Sequence, residues 1–143
     1  MEIFNRRAKF DYFIEKEYEA GIVLLGTEIK SIRKGSCDIK EAYARIKDDE
    51  VFIINMYIAR YEQGNRFNHN ERRSRKLLLH KREIKKIKEH IEREGYSLIP
   101  LKLYIHKGKA KLLLGIGKGK KNHDKRASLK EKTIRREIES KVY

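Results

Sequence analysis

The chain is expected to be a small α+β protein, mostly β, built as an OB-fold-like antiparallel barrel with flanking helices and a basic C-terminal tail. Three observations lead there. Apolar residues alternate with polar ones at period two in several separate runs, the mark of half-buried strands. One strong helix-period stripe falls between the third and fourth of those runs. After Ile116 the apolar periodicity stops and Lys/Arg take over. Setting aside one short early helix, the order is three strands, a helix and two strands, which is that of an OB-fold. Fold by itself assigns no function.

Taken in order, residues 1–11 are a basic lead-in, and 12–25 are rich in aromatic and branched residues and read as a strand bent near Gly21. Gly26 breaks it, Thr27 is placed to cap a short helix with Ile29 and Ile32 on one face, and Gly35 ends that helix. Residues 39–47 read as a second strand, with Ala42, Ala44 and Ile46 alternating against Tyr43 and Arg45. Asp48-Asp49 makes a tight turn. Residues 51–59 read as a third strand, apolar enough to be central.

The clearest helix spans 81–94: Ile84, Ile87 and Ile91 form one stripe, Lys85–Glu89 and Lys88–Glu92 are i,i+4 pairs, His80 sits at the cap and Gly95 at the stop. Leu101, Leu103 and Ile105 then alternate with Lys102, Tyr104 and His106. After a Lys107-Gly108 turn, Ala110, Leu112, Leu114 and Ile116 alternate with Lys109 and Lys111. Pro100, the only proline, suits a strand start or an edge. The barrel is expected to occupy 1–116. Residues 117–143, with ten Lys/Arg against four acids, are expected to be a tail that is disordered alone and folds on a polyanion.

Length and composition narrow the function. A chain of 143 residues is one domain by length. Its 36 Lys+Arg against 21 Asp+Glu give a net charge of +15, which favours a polyanionic partner. The single cysteine, Cys37, excludes an internal disulfide and fits a reducing cytoplasm. No apolar run nears the ~20 residues that span a bilayer, and the first ten residues lack the apolar core of a signal peptide.

The functional stretch is 64–84, GNRFNHNERRSRKLLLHKREI. It sets Arg66, Arg72, Arg73, Arg75 and Lys76 ahead of an apolar anchor, Leu77, Leu78 and Leu79. Guanidinium forks fit phosphate oxygens, Asn65, Asn68 and Asn70 can hydrogen-bond sugars or base edges, and Phe67 and His69 can stack on unpaired bases. Chemistry is harder to find. His69, His80, His90, His106 and His123 lack metal-ligand spacing, so no metal or cofactor is expected. The run GIGKGKK fails as a phosphate loop on spacing and places Lys121 where a hydroxyl is required. A nuclease centred on Asn68-His69-Asn70 lacks an acidic partner. RNA binding without catalysis is the expectation from the residues, which the resemblance below makes an adaptor; a basic structural ribosomal protein is the alternative.

Three stretches add a resemblance. NRRAKFDYFIEKEYEAGIVLLGTEIKSIRKG (5–35), GNRFNHNERRSRKLLLHKREI (64–84) and EGYSLIPLKLYIHKGKAKLLLGIGKGKKNHDKR (94–126) are similar to the small protein B family, the SsrA-binding proteins of bacterial trans-translation. The resemblance implies an OB-like barrel that binds the tRNA-like domain of tmRNA and enters the vacant A site of a stalled ribosome. It implies a tail that lies in the 16S rRNA decoding centre and empty mRNA channel, helical there, and delivery with elongation factor Tu. It assigns RNA contact to Asn5, Glu19 and Leu78, and decoding-centre contact to Gly119, His123, Asp124, Lys125 and Arg126. Lys120 and Lys121 belong to the same GKGKKNHDKR motif. From the residues alone, Leu78 reads instead as a core leucine supporting the loop, and Glu19 as a carboxylate that accepts from a base or 2′-OH, or orients an arginine. Two departures stand out: Asn70-Glu71 replaces the family's common Asp-Pro, and Ile134 replaces a tail aromatic.

Overall fold

The computed structural model of the chain describes residues 1–121 and 125–126. The expectations for the tail beyond 126, for Ile134 and for the His123-Asp124 pair fall outside the described residues. The elements are β1 (Glu2–Phe4), α1 (Ala8–Asp11), β2 (Tyr12–Ile22), α2 (Gly26–Arg33), β3 (Cys37–Asp38), β4 (Tyr43–Lys47), β5 (Glu50–Ile54), β6 (Tyr57–Ile58), a 3-10 helix (Glu62–Phe67), β7 (Arg75–Leu78), α3 (Lys81–Ile91), β8 (Tyr96–His106) and β9 (Lys109–Gly119).

Seven strands form one antiparallel sheet in the order β1-β8-β9-β2-β7-β5-β4, and β3 pairs with β6 in a small second sheet. The spine is β8-β9-β2, three strands of 11 residues each. Leu103, Leu112, Leu114 and Ile116 from the hairpin, Ala20 from β2, Val51 and Ile53 from β5 and Leu77 from β7 turn inward and are fully enclosed. Ile87, the centre of the α3 stripe, plugs that core. The sheet curls until β4 approaches β8, leaving a cleft of about 610 Å³ between Tyr43–Ile46 and Tyr96–Pro100 instead of a closed ladder. The expected α+β, OB-like architecture is therefore an open barrel.

Two register shifts, at Ile14/Lys16 and Pro100/Lys102, bend the spine. Gly115 sits beside the second of them. A Cβ there would lie 2.7 Å from Leu101 Cδ1, so any side chain at this position would displace the Leu101 side chain.

Several boundaries differ from the sequence reading. The strand expected over 39–47 begins at Tyr43; Cys37–Asp38 joins the second sheet, and the amide of Ala42 turns back to the carbonyl of Ile39. The run 51–59 is two strands, because Asn55 takes φ = 61° and sends Tyr57–Ile58 to β3. Asparagine tolerates that left-handed conformation, so an unbroken apolar run conceals the corner. Asp48 and Asp49 make the expected tight turn, both with positive φ. The end of the chain's first long strand is Ile22, and α2 is capped not by Thr27 but by Glu28, whose Oε1 accepts the Leu25 amide at 2.8 Å. His80 does cap α3, with Glu83 accepting its amide at 3.0 Å, while Lys88 reaches Asp49 at 3.0 Å. Pro100 lies within β8, at its bulge, rather than at a start.

The last strand continues past Ile116: Lys118 pairs with Phe13 and Gly119 with Tyr12, and the Lys120 amide donates to the Asp11 carbonyl at 2.8 Å. Gly117 and Gly119 are ladder residues. A chain ended after Gly117 loses these bonds, each worth ~1 kcal/mol net, and its melting temperature is expected to fall by several degrees. A chain ended after Lys121 is expected to melt as the full chain does. Thermal melting of the two truncations checks this; equal melting temperatures would show that the strand end carries no stability.

Candidate RNA interface

The basic stretch is organised by an acid. Glu28, on the inner face of α2 with Ile32, is fully buried. On β7 alternation turns Arg75 and Leu77 inward and Lys76 and Leu78 outward. Arg75 Nε donates to Glu28 Oε2. Its Nη1 donates to the Met56 carbonyl at 2.6 Å, and its Nη2 to the Glu71 carbonyl at 3.2 Å. Arg73 Nη2 donates to Glu28 Oε1 at 2.6 Å and to the Val23 carbonyl at 3.3 Å. Burial pushes the Glu28 carboxyl upward, but the hydrogen bonds from Arg73, the Leu25 amide and Arg75 outweigh it and hold the group below the ordinary carboxylate range. Burial in turn lowers Arg75, without approaching loss of its charge. Arg75 is 0% exposed, so the phosphate contact expected of it is not available: its guanidinium ties Glu28 of α2 to the backbone at Met56 and at Glu71.

The loop ahead of β7 is closed by its own polar side chains. Asn68 Oδ1 accepts the Tyr61 amide at 3.0 Å while its Nδ2 donates to the Tyr61 carbonyl, mimicking a backbone pair. His69, expected to stack on a base, is buried instead. Its Nε2 lies 2.9 Å from the Ile58 carbonyl, which can only accept, so that nitrogen carries the proton; Nδ1 meets the Thr27 hydroxyl at 2.8 Å. Asn70 Oδ1 accepts the Arg72 amide at 3.0 Å, a turn its side chain can make without proline. Arg72 Nη1 donates to the carbonyl and side-chain oxygens of Asn55, both at 3.2 Å. Asn65 and Arg66 fall in the 3-10 helix, and their side chains lie outside the described part of the structure.

The outer face presents a different set. Leu78 is 52% exposed, opposite Gly21 on β2; it is Leu77 that packs the core, which overturns the reading of Leu78 as a core leucine. Val23 and Leu25, in the segment that leads from β2 to α2, are exposed as well. Glu19 points outward on β2 and accepts the Tyr104 hydroxyl, so the group it orients is a phenol and not an arginine. Burial, then Glu19, raises the Tyr104 phenol well above its usual range, keeping it a donor. Lys76 is exposed and pairs with Glu50 at 3.0 Å. Asn5 Nδ2 donates to the Pro100 carbonyl at 2.9 Å and its amide to the Leu101 carbonyl at 2.9 Å, pinning the lead-in to the β8 bulge.

The tail motif starts at the other end of the spine. Leu78 faces Gly21 and Gly119 faces Tyr12, nine residues apart along β2, or about 25–30 Å at ~3.3 Å per residue. The Gly119 amide donates to the Gly95 carbonyl at 3.2 Å, Lys120 Nζ lies 4.8 Å from the centre of the Phe13 ring, and Lys125 Nζ lies 3.6 Å from Asp11 Oδ1. The Lys125 amide bonds to the Lys121 carbonyl at 3.1 Å, and Arg126 lies exposed beside it. The structure thus groups Leu78, Glu19 and the arginine loop toward one pole, and Gly119, Lys120, Lys121, Lys125 and Arg126 at the other, with Asn5 between them. Glu28 was missed; its only signal was an acid one turn before Ile32 on an apolar face.

An open OB-type barrel of net charge +15 with a rigidly clasped basic loop defines an RNA-binding module. The model of the SmpB protein family matches residues 2–143, and the chain belongs to that family. The SsrA-binding protein of Anoxybacillus flavithermus is 58% identical over 135 residues, covering 94% of this chain and 88% of the relative. That of Staphylococcus saprophyticus is 59% identical over 134 residues, covering 94% and 87%. A solved structure described as "tmRNA-SmpB: a journey to the center of the bacterial ribosome" aligns at a TM-score of 0.70 with 45% identity, over 90% of this chain and 94% of that one.

Exposure decides the expected behaviour of two side chains. Leu78→Ala is expected to leave the melting temperature unchanged within the effect of a surface substitution, about 0.5 kcal/mol, and to weaken RNA binding about ten-fold. Arg75→Ala, which leaves Glu28 buried with a partner missing, is expected to cost ~3–5 kcal/mol of stability. Melting and RNA titration of both variants check this; a destabilised Leu78→Ala protein would return that leucine to the core.

Proposed function

We propose that this chain is a tmRNA-binding adaptor of trans-translation, acting by binding alone. The relatives named for SsrA binding, and a structural neighbour described with tmRNA at the ribosome, support this reading. The observation that carries it is the two-ended layout. Leu78, Glu19 and the arginine loop form one pole, and the GKGKKNHDKR motif leaves from the other, about 25–30 Å away.

An adaptor needs that separation, because it must hold one RNA while touching another. The first pole takes the tRNA-like domain. Its exposed leucine and oriented carboxylate supply shape and hydrogen bonding, and the surrounding cations supply phosphate attraction. The carboxylate of Glu19 is repelled by phosphate, so its contact is with a base amine or a 2′-OH. The second pole, with Gly119, Lys120, Lys121, Lys125 and Arg126, serves the decoding centre of 16S rRNA and the empty mRNA channel, and His123 and Asp124 of the same motif share that role. Elongation factor Tu delivers the complex to the A site. The work is done in the cytoplasm, and no described helix is long and apolar enough to cross a membrane.

A chain ended after Lys121 keeps the spine and the first pole. It is expected to bind a tRNA-like RNA within a few-fold of the full chain and to fail in a reconstituted tagging reaction on stalled ribosomes. Normal tagging by this shortened protein would remove the tail from the mechanism, and lost RNA binding would place the RNA site at the wrong pole.

A further inference from the structure

One group of side chains lies outside both poles' assigned residues. Lys30, in the last turn of α2, and Lys34, at its C-terminal boundary, are one helical turn apart and both exposed. Their ammonium groups lie over the same ring, that of Tyr61, at 5.3 and 4.9 Å from its centre. Among the described residues neither is paired with a carboxylate. Like charges at this spacing repel. The negative end of the helix and the face of the ring offset that repulsion and so keep the two charges together. Tyr61 itself is fixed, since Asn68 holds both its amide and its carbonyl. Phe67, the residue before that clasp, is 79% exposed.

We propose that Lys30, Lys34 and Tyr61 form a phosphate clamp for the backbone of a bound RNA, with the Phe67 ring offered to an adjoining unpaired base. The inference rests on the RNA-binding reading and extends it to a site of named residues. Two ammonium groups above one ring present a compact double positive charge to the oxygens of a phosphate. Each additional phosphate contact releases counterions, so the clamp is read directly in the salt dependence of binding. RNA is the ligand that uses all of these groups. An acidic protein segment would engage the lysines but leave the exposed ring idle, whereas a nucleotide uses charge and ring together. Lysines that served only to steady the end of α2 would affect melting and not the salt slope.

The test is binding of a tRNA-like RNA transcript across a salt series, using full-length wild type, Lys30→Gln, Lys34→Gln and the double variant. A Lys85→Gln/Lys86→Gln control removes the same charge from two exposed lysines of α3. Each clamp lysine is expected to contribute about 0.7–0.9 to the log–log slope. The double variant should therefore lose about twice that, and the control clearly less, with melting temperatures unchanged. Phe67→Ala is expected to lower affinity at least about five-fold with the slope intact. A wild-type slope in the double variant, or a loss equal to the control's, overturns the clamp. So does a double variant that keeps RNA binding but loses binding to poly-glutamate, because the site would then belong to an acidic protein. A wild-type protein that binds no RNA would sink the broader reading together with the clamp.

Discussion

One buried carboxylate holds the basic stretch in shape. Glu28 accepts from Arg73, Arg75 and the Leu25 amide at once, joining the start of α2, strand β7 and the loop before it. A charge in that position is tolerated only because both oxygens are paired and two of the three donors are cations. The reverse also holds. Arg75 can be fully enclosed only because Glu28 and the backbone carbonyls of Met56 and Glu71 receive its donors. The loop is therefore preorganised by ion pairing inside the barrel wall, before any ligand arrives.

This changes how the charge of the stretch is used. Arg72, Arg73 and Arg75 are all engaged, with Asn55, with Glu28 and with backbone carbonyls. What faces outward at this pole is mixed, an exposed leucine and valine, a carboxylate held by Tyr104, and the exposed Lys76. A rigid surface of that kind recognises shape, and the cations add attraction that carries no sequence information. The separation of this surface from the tail motif follows from the length of β2 and its pairing with β9.

What was legible in the sequence was what periodicity encodes. The α3 stripe, the β8–β9 hairpin and the Asp48-Asp49 turn repeat a pattern or use a residue of known geometry, and they stand. What was not legible depends on register. In Leu77-Leu78-Leu79 three equal residues hide a period of two, and only pairing with Ile22 and Val51 shows that Leu77 is the inward one. The same parity turns Arg75 inward, and no local rule distinguishes a buried arginine from a phosphate-binding one. Asn68 and His69 gave the same difficulty: residues suited to RNA are equally suited to closing a loop, and here the Tyr61 backbone and Ile58 carbonyl take them. Glu19 and Leu78 entered through family resemblance, and both are exposed.

The claim that Glu28 organises the loop is tested most directly by melting temperature as a function of pH for the wild type and Glu28→Gln. The folded pKa of Glu28 lies below its unfolded value. Its contribution should be complete above the unfolded value of ~4.3 and be lost as pH falls through the lowered folded one. The account predicts a wide gap between the two proteins at neutral pH, on the order of 3–5 kcal/mol, closing in acid as the wild-type carboxyl takes up its proton. A gap that is absent at neutral pH, or that stays constant into acid, would contradict it.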